Sequence, residues 1–386
     1  MHVVGGLYKE LCTIPEWNLT FGSGGRAAAV VSGFSEKVVL HTYTEDLSNE
    51  GILFLNRLGV EVVANLRSSN IIFAYFHPLS RPYIQPNPNE IEQLKAINVS
   101  GDAVLRFGFM EGDAKVTADR AVYDPQTWHS VKSFGENGST AQELAIVLNK
   151  LELKSATQLN DLDAAAANLW EHHGASIIVV KGGISGATVF ERGKNAAHIP
   201  CYRSSRIFKI GTGDVFSGMF SYYWAEKRLT ALQAADLASR SVAAYCNNYG
   251  RLPFEKTAHL NLNAWNFQGL GIVQVVGAVD TIGQRYTIEE ACYGLRELGV
   301  TVLCPMLGID SELIASATLI LTEGLEQALQ SFVDEALKTK KPVVVLCEST
   351  RIIDKLENSK EITIADDFSS SLYFAALLAS EHTTLK

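Results

Sequence analysis

Between Phe208 and Phe220 the chain reads FKIGTGDVFSGMF. A glycine-rich turn, Gly211-Thr212-Gly213, runs directly into Asp214. Asp214 opens an apolar-periodic stretch of Val215, Phe216, Met219, Phe220 and Tyr223, and this periodicity predicts a helix starting at the turn. The first turn of a helix leaves backbone N–H groups without intrahelical acceptors, and they converge on a spot that attracts anions. Glycine there lets the backbone approach a phosphate closely. A carboxylate at the same spot repels a bound anion unless it has a separate task. Taking the proton from an attacking hydroxyl is such a task. The residue types therefore point to phosphoryl transfer to an alcohol. Alone, the pattern is also an ordinary cap and turn, so its company decides.

The chain has 386 residues, enough for two domains or for one large and one small. Hydrophobic residues make up 47% and charged residues 19%, so cores form and wholesale disorder is excluded. The net charge of −9 argues against a nucleic-acid groove or an anionic membrane surface as the main partner. A local basic pocket for phosphates stays compatible with it. The six cysteines, at 12, 201, 246, 292, 304 and 347, show no C-x-x-C spacing. They read as reduced, mostly buried thiols of a cytoplasmic protein. No signal peptide and no membrane-length apolar run stands out.

The elements that must position the turn are legible as alternating strands and helices. KVVLHTYT (37–44), VEVVANL (60–66) and IIFAYF (71–76) read as strands. The β-rich segment at 37–76 would serve as a lid or as the interface of a homodimer. AVYDPQ (121–126) is a strand ending in a turn, and LAIVL (144–148) and SIIVV (176–180) are buried strands. Residues 159–173 predict an amphipathic helix with Leu162, Ala165, Ala166 and Leu169 on one face, and 230–247 a long alanine-rich one. Such alternation implies a mainly parallel sheet covered on both faces. The pattern breaks around 251–268, where Pro253, Asn261, Asn263 and Asn266 sit without periodicity. A linker is expected at 253–270, dividing a domain at 1–252 from one at 271–386. In the second domain, strands are expected at 272–278, 300–305, 318–322, 342–347 and 361–366. Helices are expected at 288–298, 325–338 and 368–380, giving a small doubly wound domain.

The ordered set AVYDPQ, LNKLE, VVKGGISG and GTGD-x-F-x-x-x-F resembles the ribokinase-like (PfkB) carbohydrate and nucleoside kinase family, across about residues 1–252. The GTGD segment is its most specific part. The resemblance implies an α/β fold with a central, mainly parallel sheet and a small β lid. It implies ATP as donor, Asp214 as general base, and Gly211, Thr212 and Gly213 as stabilisers of the transferring phosphoryl group. Asn149-Lys150-Leu151-Glu152 resembles the family's N-x-x-E motif. A carboxylate at the end of a buried strand can organise Mg²⁺ waters near the phosphates, and Asn-to-Glu at this spacing also suits a helix start. In Lys181-Gly182-Gly183-Ile184-Ser185-Gly186, the resemblance makes Gly183 and Gly186 nucleotide-lining glycines. Lys181 would reach a phosphate or ribose; the alternative is a hairpin turn into TVFERG. Glu10 lies where the family has a sugar-binding Asp, and Gly24-Gly25 resembles its double glycine beside the acceptor.

Several positions depart from the family pattern. Ala29 stands where an Asn is common, and Arg26 nearby suggests an anionic or unusual acceptor, or else a solvated charge. Phe208-Lys209-Ile210 replaces the usual Asp-Thr-Thr, which puts monovalent-cation activation in doubt. Lys209 would neutralise phosphate charge or face solvent, and His77 would lie near the acceptor or serve its own turn.

Residues 271–386 resemble the nucleoside 2-deoxyribosyltransferase-like group through VVGAVDT, RELGVTVLCP, SATLILT and KKPVVVL. This implies a flavodoxin/Rossmann-like doubly wound domain. That group's nucleophilic Glu would fall near Phe332, where the nearest acids are Glu326, Asp334 and Glu335. Asp280, at a strand end, would bind a ribose hydroxyl. The domain could equally be a nucleotide-binding or dimerisation module. The expected function is ATP- and Mg²⁺-dependent phosphorylation of a sugar or nucleoside-like small molecule, with no nucleic-acid or membrane partner. The alternatives are a non-catalytic nucleotide or sugar sensor, and N-glycosidic chemistry in the second domain.

Overall fold

The structure is a computed structural model, and it describes residues 1–127, 131–309, 312–325, 328–348 and 362–382. The chain divides into two compact units. The first comprises Met1–Gly182, Gly186–Ser204 and Lys209–Asn263, and the second Gly183–Ser185, Ser205–Phe208 and Ala264–Lys386.

The first unit begins with β1 (His2–Val4), β2 (Lys9–Cys12), β3 (Trp17–Thr20) and α1 (Gly22–Ser32). Next come β4 (Val38–Thr44), α2 (Glu50–Arg57), β5 (Val60–Leu66), β6 (Ile72–Tyr75) and β7 (Tyr83–Gln85). The long strands β8 (Ile97–Phe107), β9 (Ala114–Asp124) and β10 (Thr140–Asn149) precede α3 (Lys150–Thr157) and α4 (Leu162–His172). The unit closes with β11 (Ile177–Lys181), β12 (Ala187–Glu191), β13 (Ala197–Ile199), α5 (Thr212–Ser221) and α6 (Ala231–Asn247). Nine strands form one sheet in the order β13-β12-β11-β10-β9-β8-β1-β4-β5, antiparallel only at β11-β12 and β12-β13. β11 and the C-terminal halves of β8, β9 and β10 are buried on both faces, as a parallel sheet between two helix layers requires. Val104, Tyr123, Ile146, Leu148 and Ile178 pack with Leu153 of α3 and with Ala165, Ala166 and Leu169 of α4. The opposite face carries α1, α5 and α6.

A separate four-stranded sheet, β3-β2-β6-β7, makes the small β layer. Of the β-rich segment at 37–76, only IIFAYF enters it, as β6; KVVLHTYT and VEVVANL do not. Six of the seven residues of β4 are buried, and β4 pairs in parallel with both β1 and β5, so both runs belong to the central sheet. A parallel pair needs a crossover, and α2 supplies it, capped by Asn49, whose side chain accepts from the Gly51 N–H at 2.7 Å. The expected helix at 159–173 starts later because Asp161 caps it, accepting from the Ala164 N–H.

After α5 the chain makes one wide turn over Tyr222–Glu226, in which the Lys227 N–H reaches the Tyr222 carbonyl at 2.9 Å. The Trp224 carbonyl accepts instead from Arg120 of β9 at 2.8 Å.

The second unit has β14 (Ile272–Val276), α7 (Ile282–Glu297), β15 (Thr301–Leu303), β16 (Ala317–Leu321), α8 (Leu329–Lys338), β17 (Val343–Leu346), β18 (Ile362–Ala365) and α9 (Phe368–Glu381). Its sheet is wholly parallel in the order β15-β14-β16-β17-β18, the 2-1-3-4-5 arrangement of flavodoxin-like doubly wound folds. Leu329, Val333 and Ala336 of α8 pack on Val276, Ile320, Val343 and Val345. Helix α7 begins six residues before the expected 288 because Thr281 and Gln284 form a reciprocal capping box. No helix among the described residues is long and apolar enough to cross a membrane.

Two glycines fix where α1 sits. A Cβ on Gly24 would lie 2.5 Å from the Gly5 carbonyl, and one on Gly5 would lie 2.9 Å from the Gly24 Cα. The Gly24 N–H donates to the Gly6 carbonyl at 3.0 Å. The strand-β1 turn and the helix touch backbone to backbone, and Arg26, two residues further on, inherits its position from that contact. Gly24→Ala should therefore lower stability by about 1–3 kcal/mol. Urea unfolding measures this, and an unchanged midpoint would show that the contact does not hold the helix.

Candidate active site

Helix α5 starts at Gly211, which has φ 77° and serves as its N-cap. Only glycine fits here for two reasons. The left-handed φ disfavours a side chain, and a Cβ would lie 2.1 Å from Arg26 Cδ and Nε. Arg26 thus lies directly across the turn. Thr212 bends back: its N–H and hydroxyl both donate to the Lys209 carbonyl, at 3.3 and 3.1 Å. That corrects the expectation that the Thr212 N–H points at a phosphate. Gly213 and Asp214 follow it in the same first turn, where an N–H has no intrahelical acceptor.

Of the two expectations for Arg26, an anionic or unusual acceptor or a solvated charge, its burial excludes the second. Its side chain is 1% exposed. Nη1 donates to Glu10 Oε1 at 2.9 Å and to Asp214 Oδ2 at 3.0 Å, while Nη2 donates to Glu10 Oε2. Trp17 Nε1 adds a hydrogen bond to Glu10 at 3.3 Å. Three elements meet through one guanidinium: β2, α1 and α5. Asp214 Oδ2 is thereby held, while among the described residues Oδ1 accepts no hydrogen bond. Burial lifts the Asp214 carboxyl to about 6; Arg26 pulls it down, and Glu10 and Asp124 push it up. At neutral pH it is largely ionised and still basic enough to take a proton.

A second charged group lies on the other side of the turn. Asp124, fully buried at the end of β9, accepts from Lys181 Nζ at 2.7 Å and from Ser217 Oγ at 2.6 Å. Gln126 adds its backbone N–H and its side-chain amide to the other oxygen. The sequence reading treated Asp124 only as part of a strand-end turn. A carboxylate closing a buried strand was the signal available. Lys181 Nζ sits 3.6 Å from where a Cβ of Gly213 would be, so it faces the α5 turn. Burial works against its charge, but Asp124 and Glu152 more than offset this and hold the ammonium above its ordinary range. Lys209 donates to Thr212 Oγ1 at 3.3 Å. Burial and the neighbouring Lys181 lower its pKa.

Asn149 and Glu152 form a complete capping box on α3. Glu152 accepts from the Asn149 N–H at 2.7 Å, and Asn149 Oδ1 accepts from the Glu152 N–H at 2.9 Å. The helix-start reading of N-x-x-E thus holds, but Glu152 is buried rather than solvated. Burial, with Asp124 adding to it, raises its carboxyl to about 7, while Lys181 opposes. Among the described residues, no cluster of three or more His, Cys, Asp or Glu could cage a metal ion. A single buried carboxylate, seeking positive charge, suits Mg²⁺ that keeps its waters and binds phosphate oxygens.

The other expected site residues have structural tasks. Gly24 and Gly25 are buried in α1, where Gly24 meets the Gly5 backbone and Gly25 meets Leu7. Gly186, at φ 75°, closes the β11–β12 hairpin: its carbonyl accepts from the Gly182 N–H, and a Cβ would lie 2.0 Å from the Ile199 carbonyl oxygen. Gly183, at φ 61°, belongs to the second unit. His77 is buried and its Nδ1 accepts from the Leu79 N–H. In the second unit, Asp280, Asp334 and Glu335 are exposed, and Phe332 is half-buried on α8. Glu326 lies outside the described residues.

The raised Glu152 carboxyl has a consequence for stability. From its ordinary 4.5 up to about 7, the folded state binds this proton more tightly than the unfolded chain does. Stability therefore falls as pH rises through that window. Glu152→Gln keeps the capping box and has no proton to lose. It should be more stable than the parent by about 1–3 kcal/mol at pH 8, with the difference gone near pH 4.5. Urea unfolding at the two pH values decides it, and a difference independent of pH would contradict the assignment.

No protein-family model and no curated protein matches the chain. Solved structures similar to it include a pyrophosphate-dependent kinase of the ribokinase family complexed with a pyrophosphate analogue and myo-inositol. It is 17% identical, covers 65% of this chain and 97% of its own, and gives a TM-score of 0.47. Ribokinase from Thermotoga maritima is 14% identical, with 67% and 97% covered and a TM-score of 0.48. Aminoimidazole riboside kinase from Salmonella enterica, complexed with its riboside and an ATP analogue, is 13% identical, with 67% and 98% covered and a TM-score of 0.48.

Proposed function

We propose that the chain transfers a phosphoryl group from ATP to a hydroxyl of a sugar- or nucleoside-like molecule, with Asp214 as general base. The observation that carries this reading is the state of Asp214. It sits in the first turn of α5 beside Gly211, with Oδ2 held by Arg26 and Oδ1 left for a substrate. The acceptor oxygen attacks the terminal phosphorus while its proton passes to Oδ1, and the bond from phosphorus to the ADP oxygen breaks. First-turn N–H groups at Gly213 and Asp214, with the ammonium groups of Lys181 and Lys209, face the charge on the transferring group. Glu152 would hold Mg²⁺ through its free oxygen and through water, Asn149 fixing its orientation. When bound, the ion neutralises and aligns the donor phosphates. The six cysteines are present as thiols, which fits a reducing compartment such as the cytoplasm.

One observation favours a second reading, a nucleotide-binding sensor. Arg26 lies over the Gly211 turn, the space an acceptor hydroxyl must approach. Asp214→Asn separates the two. For a kinase, transfer should drop by about 10²–10⁴-fold with ATP affinity kept or slightly improved. ATP binding calorimetry paired with ADP release over a sugar and nucleoside panel reads both quantities. A wild type that binds ATP and transfers to no alcohol supports the sensor. A variant that still transfers at the parental rate removes Asp214 from the mechanism.

A further inference from the structure

We propose that Arg26 is a positioning residue: by bridging Asp214 to Glu10, it sets which carboxylate oxygen faces the acceptor and the pH range in which that oxygen takes a proton. Only the kinetic arm of the test rests on the phosphotransfer reading. The bridge is buried and spans residues far apart in sequence, with Glu10 on the small sheet, Arg26 on α1 and Asp214 on α5. A guanidinium does not release its proton in a protein, so its charge is constant. Nη1 is shared between the two carboxylates, at 2.9 and 3.0 Å. They therefore compete for one cation, and each weakens the hold of the other. With the cation gone, two buried carboxylates would share a proton and titrate as a pair.

Other charges face Asp214 too. Asp124 ends β9, Lys181 ends β11 and Glu152 lies on α3. Tyr75 on β6 and Lys209 before α5 complete the surroundings, and Tyr245 on α6 reaches it through Arg26. Tyr75 also acts electrostatically on Glu10, but the hydrogen-bonded link from Asp214 to Glu10 runs through Arg26.

The bridge makes predictions of opposite sign. Glu10→Gln leaves Arg26 wholly to Asp214, so the carboxyl should titrate lower, by roughly half a pH unit or more. Arg26→Met should move it higher by more than about one unit, and Arg26→Lys, which keeps the charge but loses the fork, should stay near the parent. A purely structural role would shift none of them, or would shift the neutral pair in the same direction. The measurement is a carboxyl-carbon NMR titration of the full chain labelled at aspartate, with Asp214→Asn identifying the resonance. If Arg26→Met does not fold, Glu10→Gln decides alone, and an unmoved or raised midpoint overturns the proposal. The acid limb of kcat/KM should move with the titration in each variant. A titration that moves as expected in a chain that transfers no phosphoryl group sustains the bridge and overturns the kinase reading. An unmoved titration in variants that do transfer overturns the bridge alone.

Discussion

A charge that cannot be neutralised, placed where water cannot reach it, obliges the fold to bring carboxylates to it. Arg26 is that charge. Removing a guanidinium from water costs several kcal/mol unless its donors are satisfied. Glu10 satisfies Nη1 and Nη2 from the small sheet and Asp214 shares Nη1 from α5, so both close on α1. The Gly5–Gly24 backbone contact is the other half of the arrangement. Without two adjoining residues that lack side chains, α1 would stand further from β1, and Arg26 could not lie across Gly211.

The site divides into two halves with different charge balance, and Asp214 sits at their boundary. On one side, one cation serves two acids. On the other, Lys181 faces Asp124 and Glu152, and Lys209 lies near Lys181 and Asp214 at the start of α5. A polyphosphate donor brings negative charge and suits the side with two ammonium groups. A neutral alcohol asks for hydrogen bonds and a base, which the Glu10 side offers. The asymmetry is a physical reason to seat donor and acceptor in that order.

Much of this was legible in the sequence where the interaction is local. The GTGD turn, the parallel strands and the start of α3 each depend on residues within a few positions of one another, and each was found. The Glu10–Arg26–Asp214 bridge was not, because Arg26 lies 16 residues from Glu10 and 188 from Asp214. No periodicity reports a contact at that separation. Asp124 was hidden differently: before a proline, a strand-end Asp reads as turn chemistry, and its partner Lys181 is 57 residues away. Helix α2 was missed because its eight residues, EGILFLNR, sit between two strongly β-forming runs. The small sheet was placed only in part, through β6, for a related reason. Run composition marks a strand but does not say which sheet receives it.

The wide turn at Tyr222–Glu226 acts on α5 from its far end. By leaving the Trp224 carbonyl to Arg120, it bolts the helix to β9, which lies under the middle of the central sheet. Gly211 and the buried bridge hold the near end. A rod fixed at both ends does not slide along its axis. The carboxylate it carries is therefore a stationary anvil.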